Sequence, residues 1–179
     1  MNILSAINKA NNLLKSNGIV SSKLDCEILM SKVLKINRTE MILNIDKDLT
    51  IDQLSYFNEL IKQRSKKKPI AYLTGKKEFW KYKFYVTKDV LIPRPDTELI
   101  IEKVLKLTKN KQSLNFLDIG VGSGCIILSI LKERKNFYGT GIDISKKSLE
   151  ICKINSENLG VSNRLKLIKS DIDNFRYGK

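Results

Sequence analysis

The stretch "LDIGVGSGCII", Leu117 to Ile127, constrains the fold more than any other part of the chain. An apolar run interrupted by an acid, Asp118, meets three glycines at alternate positions, Gly120, Gly122 and Gly124, and a second apolar run follows. Glycine has no Cβ, so such a turn can take positive φ and let its backbone approach a ligand closely. The pattern continues downstream. "LNFLDI" reads as a short buried strand, Gly124 to Arg134 as a helix and "FYGTGID" as a second strand ending in Asp143. Ser145 then caps a helix through Asn158, and "RLKLIKSD" supplies a third strand ending in Asp171. Strands alternating with helices predict a parallel sheet wrapped by helices, with ligands bound beyond the carboxyl ends of the strands. Gly120, Asp143 and Asp171 all fall there.

The spacing narrows the ligand. A carboxylate at the end of the second strand, about twenty residues past the glycine turn, can accept both hydroxyls of a ribose. Asp143 holds that position, so a nucleoside-containing ligand is expected. The dinucleotide fingerprint GxGxxG brings a helix N-terminus to a pyrophosphate. Here the spacing is GxGxG, and Cys125 stands where the third glycine of the fingerprint belongs. Asp118, beside the loop, would oppose a pyrophosphate while tolerating a cation. These features favour S-adenosylmethionine, whose amino group and sulfonium are positive, over NAD.

The first third of the chain reads as short helices. Ile3, Ile7, Ala10 and Leu14 share one helical face that ends at Gly18. Ser22 is the expected cap of a second helix carrying Leu24, Ile28 and Leu29, and a brief third helix is expected around Glu40 to Leu43. Thr50 with Gln53 makes a capping box for a fourth, with Leu54, Phe57 and Ile61 as its stripe and the basic run and Pro69 as its stop. "FWKYKFYV" (79 to 86) then alternates, with Trp80, Tyr82, Phe84 and Val86 on one face of a β-hairpin that links two domains. Pro93 and Pro95 in "IPRPDTE" forbid regular structure, Asp96 can cap, and "TELIIEKVLKL" continues as a helix.

Composition excludes several functions. The 179 residues contain no histidine, which removes His-based triads, His general bases and most metal sites, so no metal is expected. Cys26, Cys125 and Cys152 are far apart without a CxxC, so neither a disulfide framework nor a zinc site is indicated and reduced cytosol is the default. No apolar run approaches the ~20 residues of a membrane span. The chain is therefore expected to be cytoplasmic, with no membrane partner. A formal charge of +14 permits weak nucleic-acid or ribosome contact, but lysine greatly outnumbers arginine and is spread along the chain, which looks like compositional bias rather than a patch.

"LTGKKEFW", "VLIPRPDTELI" and "LDIGVGSGCIILSI" together closely resemble the protein-(glutamine-N5) methyltransferases that modify peptide chain release factors, the HemK family. The resemblance runs along the whole chain. It implies an α/β fold: a helical substrate-recognition domain over residues 1–74, a β-hairpin linker over 75–95, and over 96–179 the first part of a Rossmann-like class I methyltransferase domain. It further implies that S-adenosyl-L-methionine donates a methyl group to the side-chain amide of the glutamine in a release factor's Gly-Gly-Gln motif. By motif, Gly120, Val121, Gly122, Ser123 and Gly124 correspond to the cofactor loop, Asp143 to the ribose carboxylate, and Asp171 with Ile172 to the adenine end. Family members carry an Asn-Pro-Pro-Tyr motif after the fourth strand that holds the glutamine amide in line with the methyl group. The three prolines here are Pro69, Pro93 and Pro95, and none follows an asparagine, so no catalytic residue is assigned. On this reading the chain is a family member truncated before the fourth strand, inactive alone. Two alternatives stay open: a non-catalytic fragment that binds S-adenosylmethionine or a release factor, and a basic RNA-associated protein.

Overall fold

Side-chain caps begin three of the four longer helices of the first unit. In the computed structural model, which describes residues 1–173, 175 and 176, α1 (Ile3–Ser16) starts where Asn2 Oδ1 accepts the Ser5 N–H at 2.9 Å. Its buried residues, Ile3, Ala6, Ile7, Ala10 and Leu14, recur at three- and four-residue steps. Gly18 closes the helix at φ +73°, and the Ile19 N–H returns to the Leu14 carbonyl at 3.0 Å. α2 (Ser22–Leu34) departs from expectation: its cap position is Ser21, whose hydroxyl turns to Asp25, and Ser22 is itself buried. The buried face is Cys26, Leu29, Met30 and Val33, whereas Leu24 is exposed, because the stripe is set by what α1 and α4 cover. Asn37 caps α3 (Arg38–Leu43) through the Glu40 N–H at 2.8 Å.

The capping box at α4 (Ile51–Ser65) is present, with Gln53 N–H to Thr50 Oγ1 at 3.2 Å and Thr50 N–H to Gln53 Oε1 at 3.0 Å. α4 ends at Ser65 within the basic run, as expected, and Lys67 takes φ +64° just beyond it. Pro69 instead starts the short α5 (Ile70–Thr74), which periodicity did not suggest; proline suits a first helical turn, where no N–H partner is needed. Phe57, Leu60, Ile61 and Leu73 complete this core. Two ion pairs flank it: Arg64 Nε with Asp25 Oδ2, and the half-exposed Arg38 with Glu27 Oε2, each closing to 2.6 Å.

The chain divides at Thr74/Gly75 into two compact units. The second opens with an antiparallel hairpin, β1 (Lys76–Phe79) and β2 (Tyr82–Tyr85), with Phe79 opposite Tyr82. Trp80 is therefore a turn residue at φ +56°, not part of the expected alternating strand, while Phe84 and Val86 are buried as the alternation requires. A 3-10 turn at Pro95–Thr97 leads into α6 (Glu98–Leu107). The cap position falls on Thr97 rather than Asp96 and makes no side-chain cap bond, because the 3-10 turn already supplies the entry.

Three parallel strands follow in spatial order β3 (Asn115–Ile119), β4 (Tyr138–Asp143), β5 (Leu165–Lys169), joined by α7 (Cys125–Glu133) and α8 (Lys146–Asn158). Glycine makes this packing possible at two points in β4. A Cβ on Gly139 would lie 2.6 Å from Ile127 Cδ1, and one on Gly141 would lie 2.8 Å from Val121 Cγ2, so α7 and the loop before it sit directly on the strand backbone. Arg164 closes the other end of α7, donating to the carbonyls of Leu131, Arg134 and Phe137 at 2.7–2.9 Å. Helices do not wrap the whole sheet among the described residues: Leu117 and Ile119, alternate positions on β3, are 39% and 52% exposed. The end expected for the last domain, residue 179, lies outside the described residues.

Candidate functional site

The turn from β3 to α7 is built around three left-handed glycines, Gly120 at φ +76°, Gly122 at +52° and Gly124 at +79°. Gly120 and Val121 donate to the Ile142 carbonyl at 2.9 and 3.0 Å, which anchors the start of the turn to the end of β4. The Gly124 N–H returns to the Val121 carbonyl at 2.7 Å. Val121 and Ser123 are buried, so these two loop residues face the protein and shape the turn. A Cβ on Gly124 would lie 2.6 Å from Cys152 Sγ, whereas one on Gly120 would meet nothing within 4 Å. Gly124 is demanded by packing, and Gly120 faces open space where a ligand can approach the backbone.

Asp143 ends β4 beside this turn. Its Oδ2 accepts the Gly122 N–H at 3.0 Å and its Oδ1 accepts the Ser145 N–H at 2.8 Å. A carboxylate has about four acceptor positions. Two are used here to hold the glycine turn and the start of α8, which leaves the remaining lone pairs for vicinal hydroxyls. Ser145 also caps α8 by accepting the Ser148 N–H. The structure thus joins the glycine loop and Asp143 directly.

Asp171 and Ile172 reach the same sheet end less tightly. β5 finishes at Lys169, two residues before the expected Asp171. The Ser170 N–H donates to the Asp143 carbonyl at 3.2 Å, so the chain leaves β5 next to the carboxylate. Asp171 is exposed and its Oδ1 accepts the Asp173 N–H at 3.2 Å, while Ile172 is 56% exposed.

Asp118, in β3, is held up from the usual carboxylate range first by burial and further by the charge of Asp143, although the Ile127 N–H in the first turn of α7 favours the ionised form. Burial also pushes the Cys125 thiol up to about 11 and the Cys152 thiol to about 12, so neither is a thiolate near neutral pH. Among the described residues no group of three or more His, Cys, Asp or Glu could hold a metal, and no helix is long and apolar enough to cross a membrane.

Two supporting residues were missed from the sequence. Glu133, at the end of α7, accepts from Trp80 Nε1 at 2.9 Å, Tyr82 Oη at 3.0 Å and Lys81 Nζ, fastening the hairpin turn. Asn155, on α8, is fully buried and bonds to both the hairpin and the glycine loop. A signal for Asn155 existed: it follows Ile151 and Cys152 at helical spacing, a polar residue within a buried stripe. Nothing local marks Glu133.

Residues 5–75 match the family model described as the PrmC N-terminal domain, and residues 110–178 match one described as a methyltransferase domain. The release factor glutamine methyltransferase of Caulobacter vibrioides is 33% identical over 96% of this chain and 59% of its own length. That of Leptospira interrogans is 39% identical over 95% of this chain and 60% of its own. A crystal structure of an S-adenosylmethionine-dependent methyltransferase from Geobacter sulfurreducens in complex with S-adenosyl-L-homocysteine is 27% identical, with a TM-score of 0.37, over 44% of this chain and 30% of that one. The chain therefore spans about three-fifths of the two relatives' length, and the matches run from its helical unit into its parallel sheet. Over nearly all of its length the chain is thus similar to release factor glutamine methyltransferases, and its first unit matches the PrmC N-terminal domain.

Proposed function

We propose that this chain supplies the cofactor-holding share of a methyl transfer from S-adenosyl-L-methionine to the glutamine side-chain amide of a release factor's Gly-Gly-Gln motif. The observation that carries the reading is the direct contact between the glycine loop and Asp143, with acceptor capacity left on the carboxylate, in a chain similar to release factor glutamine methyltransferases over nearly all its length.

In this reading Gly120 to Gly124 support the cofactor backbone-first, with Gly120 leaving room for the approach. Asp143 accepts the ribose hydroxyls, and Asp171 with Ile172 lie at the adenine end. When bound, the cofactor supplies a methyl group on a cationic sulfur. An amide nitrogen is a poor nucleophile, so transfer depends on holding it in line with that methyl group and on polar groups aimed at the developing charge. An Asn-Pro-Pro-Tyr segment does that in the family the chain resembles, and the 179 residues contain none. The helical unit, residues 1–74, is assigned to gripping the release factor, and the cytoplasm, where release factors act, is the assigned location.

Equilibrium dialysis of the chain against methyl-labelled S-adenosylmethionine, with and without a release factor, tests this. The expected result is about one equivalent of cofactor retained, release factor bound, and the label still on the cofactor. Failure to retain the cofactor contradicts the cofactor assignment, and label on the release factor contradicts the division of labour.

A further inference from the structure

Asn155 lies within α8, is 0% exposed, and bonds through its side chain to the backbone of two other segments. Its Oδ1 accepts the Tyr85 N–H at 2.7 Å, and its Nδ2 donates to the Tyr85 carbonyl at 3.0 Å. Tyr85 ends β2, opposite Lys76 of β1. The amide thus takes the place of a neighbouring strand on the outer edge of the hairpin, offering one acceptor and one donor to a single residue as a strand would. The remaining Nδ2 hydrogen goes to the Ser123 carbonyl at 2.9 Å.

Ser123 stands between Gly122 and Gly124 in the glycine loop. Its neighbour Gly122 is held by Asp143 at 3.0 Å, so adjacent loop residues are gripped by separate side chains, one at the end of β4 and one on α8. Only an amide side chain can satisfy an N–H and two carbonyls together. Leaving the buried Ser123 carbonyl unpaired carries a desolvation cost. The hairpin, Asn155 and the loop therefore form one continuous polar chain through the interior of the second unit.

We propose that Asn155 is a positioning residue that couples the hairpin to the glycine loop, so that the ligand-ready shape of the loop depends on β2 being docked against α8. A core amide that merely stabilised α8 would leave the loop's local opening unchanged when removed. The link to cofactor affinity rests on the function proposed above; the mechanical coupling does not.

The test is amide hydrogen exchange on the full 179-residue chain, comparing the parent with Asn155→Ala and with Ser148→Ala. The latter removes another α8 contact to the segment after the hairpin, Ser148 Oγ to the Asp89 carbonyl at 3.2 Å, without touching the loop. Asn155→Ala is expected to raise exchange at Tyr85 and at residues 122–124 about tenfold relative to β4, and to weaken S-adenosylhomocysteine binding about tenfold, the size of one lost hydrogen bond. Ser148→Ala should do neither. Faster exchange at Tyr85 with the loop still protected overturns the proposal, as does an equal rise throughout the second unit. If the alanine variant does not fold, Asn155→Asp, which keeps the acceptor for the Tyr85 N–H and lacks the two donors, is read the same way. A parent chain that shows the exchange coupling but binds no S-adenosylhomocysteine upholds the coupling and removes the cofactor reading.

Discussion

In residues 1–74 two acids of α2 pair with arginines of neighbouring helices, whereas in the second unit Asp143 and Asn155 reach for backbone. Asp25 meets Arg64 and Glu27 meets Arg38, in each case one helix side chain to another, and the pairs hold α2 against α4 and α3. Asp143 and Asn155 instead hold the backbone of a glycine loop and of a strand edge. Each unit draws its specificity from a different kind of contact. A helical bundle needs its helices in register, and opposed charges at fixed positions do that. The glycine loop has no repeating hydrogen-bond pattern of its own, so side chains from neighbouring elements help to fix its shape.

Arg64→Ala is expected to have the largest effect. It leaves Asp25, whose side chain is 4% exposed, as an uncompensated buried charge, and should cost about 3–5 kcal/mol. Urea unfolding would measure it, while S-adenosylhomocysteine affinity of the folded variant stays unchanged.

Gly124→Ala strikes the second unit instead. The new Cβ would lie 2.6 Å from Cys152 Sγ and 2.7 Å from Leu128 Cδ1 at φ +79°, for an expected loss of about 2–4 kcal/mol and of ligand binding together. Retained affinity would show that the loop tolerates a different shape.

Glu133→Gln should cost about 1–3 kcal/mol, because Trp80, Tyr82 and Lys81 all donate to the carboxylate. The same cluster predicts two pH effects. Burial alone would raise Glu133, but the hydrogen bonds from Lys81, Trp80 and Tyr82 outweigh it and hold the group below its ordinary 4.5. Its contribution is present above 4.5 and is lost as pH falls through the lower folded value. Tyr82 is pushed up to about 12 from 10, first by burial and then by Glu133, so stability should fall between pH 10 and 12. A Glu133→Gln variant whose stability follows pH as the parent's does would contradict this account of the cluster.

Lys83→Ala marks the small end. Lys83 and Glu78 are 3.7 Å apart and 75% and 80% exposed, so the pair should change stability by less than about 0.5 kcal/mol, within the error of a careful denaturation curve.

The contrast between units also explains what could be read from the chain. Helices α1 and α4 were legible because their apolar spacing and caps are local: Thr50 and Gln53 are three residues apart and satisfy each other. The strand, loop and helix from Asn115 to Glu133, and Asp143 at the end of β4, were legible for the same reason, since each signal spans only a few residues. Trp80 was misplaced because alternating aromatics look alike in a strand and a tight turn, and the turn is held by Glu133, 53 residues away. Leu24 was misplaced because the face that α2 buries is chosen by α1 and α4 rather than by its own periodicity. The grip of Asn155 on Ser123 spans 32 residues and leaves no local trace beyond a polar residue in an apolar stripe.

The central claim is that the glycine loop and Asp143 form a nucleoside site, and calorimetric titration of S-adenosylhomocysteine into the chain and its Asp143→Ala variant tests it most directly. Single-site binding by the parent is expected, with a loss of about 10- to 100-fold in the variant, the size of one charge-assisted hydrogen bond to the ribose. Equal affinity in the two proteins, or no binding by the parent, would contradict it.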